Sequence, residues 1–162
     1  MSKADELATK LKQKQKSRVD AEARADLAIE HWPSQVYDMY HQLETWLEPL
    51  THAGLNIRRV PTRVFESLPS GETFNYAIDK LQIEGNHNTI TLDPIARFVI
   101  GGTGQVDIRS KGQALYIRRT ENDMAEPVWQ IQPVARTGQP RPTPVALDEL
   151  NFLAVIEQGL EL

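Results

Sequence analysis

Four histidines and a scatter of carboxylates are the side chains best suited to chemistry in this sequence. On a helix, His41, Glu48 and His52 fall in one narrow stripe, with Glu44 beside them. Nitrogen and oxygen donors of this kind suit zinc or iron. The spacing defeats the idea: His41 and His52 lie roughly 16 Å apart along a helix axis. Each end of the stripe offers only two ligands, so no metal and no other cofactor is expected. The sequence has no cysteine, which removes thiolate nucleophiles, thiolate zinc sites and disulfides. It has no G-x-S-x-G elbow, and Ser70 and Ser110 sit in turn-like segments with no histidine nearby in sequence. Glu66, Glu72, Asp79, Glu84, Asp93 and Asp107 could work in pairs only if the fold gathers them. Gly101-Gly102-Thr103-Gly104 invites a phosphate-loop reading. The dinucleotide spacing fails at Asp107, a strand follows instead of a helix, and no Walker lysine is present. A tight hairpin in which glycine supplies positive φ fits better. No residue is assigned as catalytic, and the balance is against an enzyme.

Two surfaces suit recognition instead. Lys10, Lys12, Lys14, Lys16 and Arg18 form a run without an acid, able to touch phosphate. Spacing by two scatters these charges around a helix, acidic residues flank them, and no aromatic stands among them. Nucleic acid is therefore a weak alternative. The second surface is the wet face of a sheet, where Gln105, Arg109, Tyr116, Arg118, Gln130 and Gln132 share a phase. Arginine and tyrosine are favoured at protein interfaces. An RNA-reading sheet would need more exposed aromatics than Tyr116 alone. A pocket between sheet and helices, lined by Trp46, Phe74, Tyr76, Phe98 and Trp129, is a further option for a small molecule.

These side chains need elements to position them. Residues 1–31 are rich in Ala, Lys, Glu and Arg, with no proline or glycine, and favour helix. Large apolar residues are sparse there, so a charged, partly mobile arm is expected, frayed over residues 1–18. Val36, Met39, Tyr40, Leu43, Trp46, Leu47 and Leu50 share one helical face, which predicts a helix over 33–53. Pro33 suits its first position, although a single long helix kinked at Pro33 fits the same residues. Pro49 should bend or break the final turn, and Gly54 suits a left-handed cap with Leu55 folding back.

Residues 55–133 alternate. Leu81 and Ile83, Ile90 and Leu92, Val106 and Ile108, and Trp129 and Ile131 are apolar between polar neighbours. Period two with short turns predicts hairpins of an antiparallel sheet. Turns are expected at Gly85-Asn86, Gly101–Gly104, Lys111-Gly112 and Glu121–Asp123. Phe74, Tyr76 and Ile78 are out of phase with Leu81 and Ile83, which suggests a bulge near Asp79-Lys80. The apolar run 95–100 reads as a central strand. A proline-rich linker over 133–146 leads to a helix over 148–160, capped by Asp148, with Leu150, Leu153, Ile156 and Leu160 on one face. The expected fold is α+β. An antiparallel meander of five to seven strands is covered by an N-terminal helix pair and a C-terminal helix, and residues 32–162 form one domain.

With 162 residues, 18 basic and 22 acidic, the chain carries a net charge of -4, which gives no global field for nucleic acid. The start is polar, with no secretory pattern, and no apolar run is long enough to insert in a membrane. Lack of cysteine fits the reducing cytoplasm. The reading that emerges is a small binding module for a protein partner or its own copy. By size and acidity it compares with accessory, immunity, antitoxin or chaperone-like proteins.

Overall fold

One helix, α1, carries the chain from Lys3 to Trp46, a span of roughly 66 Å. It belongs to a computed structural model that describes residues 2–162; Met1, the first residue of the expected arm, lies outside the described residues. Ser2 and Asp5 form a capping box at its start. Ion pairs Lys3–Glu6, Lys10–Glu6 and Arg18–Glu22 run along the next turns, so helix extends through the stretch where fraying was expected. Pro33 lies inside α1, and the separate helix expected over 33–53 is not formed. Proline in a helix costs about 3 kcal/mol. Trp32 before it and Val36, Met39 and Tyr40 after it are all buried in one core. Each such side chain contributes about 1.5–3 kcal/mol, enough to hold both segments on one axis.

The break falls at Leu47 instead. Pro49 sits in the first turn of the short helix α2, Glu48–His52. Gly54 follows with φ of 110°, and the Leu55 amide donates to the Leu50 carbonyl at 2.9 Å.

Seven strands then form an antiparallel meander in chain order: β1 Asn56–Ser67, β2 Thr73–Gly85, β3 Asn88–Ala96, β4 Gly104–Ser110, β5 Gln113–Glu121, β6 Pro127–Pro133 and β7 Val145–Ala146. The fold class is α+β, as the alternating pattern predicts. Register sets two faces. Gly104, Arg119 and Trp129 form one inner row, and Val106, Ile117 and Ile131 the next. Buried residues of α1 lie against this inner side, with the Trp32 and Trp129 rings stacked at 6.1 Å.

Three local expectations are corrected. The β1–β2 ladder is unbroken from Asn56–Glu84 to Ser67–Thr73, so no bulge sits at Asp79-Lys80; the irregularity lies between Pro94 and Ala96. The turn after β2 is centred on Asn86 and His87, both at positive φ, not on Gly85-Asn86. The run 95–100 is no central strand. β3 stops at Ala96, and Ile100 is 96% exposed. Backbone amides of Arg97 and Phe98 turn to the Glu66 carboxylate, which draws the chain off the ladder.

Where β3 leaves β2, two tyrosines of α1 close the ladder. Tyr37 Oη accepts from the Asp79 amide and Tyr40 Oη donates to the Asp79 carbonyl, both at 2.8 Å. Arg59 stacks over both rings and donates through Nε and Nη2 to Glu44. Burial pushes the Tyr40 phenol well above its ordinary value, with Arg59 opposing. Folded chain therefore holds this proton more tightly than unfolded chain. Stability is full below pH about 10 and is expected to fall above it by about 1.4 kcal/mol per pH unit from this group. Chemical denaturation across that range, compared with Tyr40→Phe, checks the slope: the variant should lose this group's share and keep that of the buried Tyr76 phenol, which is raised in the same direction.

Helix α3, Glu149–Gly159, starts at an Asp148 cap whose carboxylate accepts from the Asn151 amide at 2.8 Å. Its buried face is Phe152, Val155, Ile156 and Gly159, continued by Leu160, whereas Leu150 is 79% exposed. Of the expected face, Leu153, Ile156 and Leu160 pack on the core and Leu150 does not; Gly159 sits against Ile90, where a Cβ would collide. The proline-rich segment 133–146 crosses the sheet edge, places the Pro142 carbonyl on Gln132, and ends as β7.

Candidate functional site

Register brings the expected sheet-face residues together. Gln105, Arg118 and Gln130 form one outer row; Asp107, Tyr116 and Gln132 form the next, with Arg109 one step on. Some of these side chains are paired within the fold and others are not. Arg109 pairs with Asp93 at 3.0 Å, and Gln105 donates to Asp107. Arg118 donates to the Ile100 carbonyl and lies over the Tyr116 ring at 5.8 Å. Gln132 is buried beneath the linker and leaves the surface. The Tyr116 hydroxyl and the Gln130 amide make no side-chain hydrogen bond among the described residues, and Arg118 Nε is sealed without a partner.

The arm differs. From Ser2 to Ala21 every described residue of α1 and its cap is exposed. Leu7, Leu11, Val19 and Leu27 are each more than half exposed. In the basic run Lys10 pairs with Glu6 and Arg18 with Glu22; Lys12, Lys14 and Lys16 make no ion pair among the described residues. At the arm's root the tip of the β1–β2 hairpin brings Glu72 against Asp26 and Glu22. Desolvation there, then the hydrogen bond and charge of Asp26, then Glu22, raise the Glu72 carboxyl above its ordinary range. The folded chain binds this proton more tightly, so the contact tightens as pH falls and weakens as pH rises through the raised value. Glu72→Gln is expected to melt above the native chain at neutral pH. The gap should close as pH approaches about 4.3, the ordinary glutamate value.

A buried polar network stands beside the inner core. Glu66 takes the Tyr76 hydroxyl and the amides of Arg97 and Phe98. Arg119, about 5% exposed, donates from Nη1 to Thr103 at 2.8 Å and to Glu121 at 3.2 Å. Burial, and then the Arg119 charge nearby, lower the Arg97 guanidinium from its ordinary value. The sequence reading passed over Arg97 and Arg119 and named Glu66 only as one of six scattered carboxylates. Two of them carried a signal: Glu66 is in phase with Val64, and Arg119 with Ile117, so each charge sits in an apolar phase.

Arg119 also lines a half-enclosed cavity of about 270 Å³ between α1 and β6, floored by Trp46, Trp129, Leu43 and Leu147, with Gln35 beside it. Of the five aromatics expected around a pocket, Trp46 and Trp129 are here. Phe74 packs on Phe98 at 5.6 Å elsewhere, and Tyr76 is held by Glu66. The histidine stripe stays on the outside of the helices, with His41 3.9 Å from Glu44. Among the described residues no group of three potential ligands gathers to hold a metal, and no helix is long and apolar enough to cross a membrane. No family model, no curated protein and no solved structure matches the chain.

Proposed function

We propose that the protein is a binding module that holds a protein partner along the outer half of α1, and that the partner is a second copy laid antiparallel. One observation carries this reading. The same helix that is locked into the core at Trp32 continues outward as an exposed arm bearing Leu7, Leu11, Val19 and Leu27. A helix of this length without a packed face gains little by standing alone, so its apolar residues have work only against another surface.

Charge order selects the second copy. At about 100° per residue, Lys12, Lys16, Glu22 and Asp26 all lie within about 60° of Val19. Crossing two arms antiparallel at Val19 sets Lys12 of one copy beside Asp26 of the other, and Lys16 beside Glu22. The arriving lysines also relieve the crowding of Glu22, Asp26 and Glu72. Such exposed pairs steer and orient more than they bind, so the association should weaken with salt.

Sedimentation equilibrium tests it. Self-association at low salt should weaken with salt and drop at least tenfold in Lys16→Glu. The double variant Lys16→Glu/Glu22→Lys should recover it. A chain that stays monomeric at every concentration, or a double variant no better than the single one, removes the reading.

A further inference from the structure

We infer that the cavity between α1 and β6 is a binding site for a small organic carboxylate with an aromatic or branched apolar body. This is independent of the arm, which lies at the other end of α1.

Arg119 carries the inference. It comes from the inner face of β5, between Gly104 and Trp129, and is about nineteen-twentieths buried. Such a burial normally comes with full use of the guanidinium donors. Here both side-chain hydrogen bonds leave from Nη1, to Thr103 and Glu121. Those bonds fix the plane of the group. Nε is sealed from solvent without a partner; Nη2 makes no bond and is not sealed, and Arg119 lines the cavity. Gln35 lines the same cavity; its Oε1 is sealed without a partner, and its amide nitrogen makes no bond and is not sealed.

Two donors, one of them cationic and pre-oriented, suit a carboxylate, whose two oxygens accept from both. The remainder of the wall is apolar and aromatic. Trp46 and Trp129 offer flat faces, and Leu43 and Leu147 fill the sides. About 270 Å³ admits a single ring with a short chain and is too small for a nucleotide. Asp38, at the exposed rim, opposes an anion, so the bonds to Arg119 must outweigh it.

Calorimetry with hydrocinnamate and with hydrocinnamyl alcohol separates charge from apolar contact, since the two share one body. The carboxylate should bind at least tenfold more tightly. In Arg119→Met the two should bind within about twofold of each other, at the alcohol's native affinity. If that variant fails to fold, Gln42→Trp, an exposed rim position, serves instead and should weaken both ligands at least tenfold by filling the mouth. Equal affinity for acid and alcohol, no heat from either, or a Gln42→Trp chain that binds as before overturns the inference.

Discussion

Gly104→Ala is expected to lower the unfolding free energy by about 3 kcal/mol or more, the largest effect of any single methyl group in the molecule. A Cβ at Gly104 would lie 2.2 Å from the Trp32 ring, at a φ of 153°. The ring cannot retreat. Trp32 is fully buried, stacks on Trp129 and belongs to a helix held on both sides of Pro33. Strain of backbone and side chain therefore add. Trp32→Leu alone should cost about 2–4 kcal/mol through the space it leaves. Combined with Gly104→Ala the two costs should fall well short of their sum, because the new methyl enters that space. Urea unfolding of the four chains measures the coupling. Simple additivity would mean that Gly104 matters for its backbone alone.

Glu66→Gln ranks second, at about 2–3 kcal/mol. The carboxylate accepts from the Tyr76 hydroxyl and from two consecutive backbone amides while only 8% exposed. An amide of the same size offers one oxygen for these donors and turns its NH2 toward the rest. Burial, and then the bond to Glu66, hold the Tyr76 phenol well above its ordinary value, so the tyrosine stays a donor and cannot compensate by ionising. Loop 97–103 should loosen first. Hydrogen exchange at the Arg97 and Phe98 amides is expected to accelerate beyond the global change, while exchange in α3 tracks global stability alone.

Local chemistry made much of this fold legible. Period-two alternation in Leu81–Ile83, Ile90–Leu92 and Val106–Ile108 placed the strands, and short turns made them a meander. Gly54, Pro49 and the Asp148 cap acted as their geometry requires. Failures came where a distant element decided the outcome. Pro33 is a local helix breaker, but the core on both sides of it overrides that preference. Phe98 and Ile100 read as core by hydropathy, yet Glu66, more than thirty residues earlier, pulls the backbone off the sheet. Leu150 was expected on the core face of α3 with Leu153, Ile156 and Leu160, and of the four it alone lies exposed.

The sites were less legible than the fold. Arg109, Tyr116, Arg118 and Gln130 do share a face, because strand phase alone fixes that. The partners of Arg109 and Arg118, Asp93 and the Ile100 carbonyl, come from neighbouring segments that no single strand reveals. The tryptophan-lined cavity needs α1 and β6, some ninety residues apart, to meet. Trp46 and Trp129 were expected around a pocket, and an arginine in the apolar phase of β5 was the trace of its polar end.

The central claim is that α1 has two separable halves, an inner one that completes the core and an outer one that binds. Removing residues 2–21 tests it in one preparation, by thermal melting and sedimentation together. The truncated chain is expected to melt within a few degrees of the intact protein and to be monomeric at concentrations where the intact chain associates. A truncated chain that is unfolded would show that the arm belongs to the core. One that is folded and still associates would place the binding surface elsewhere.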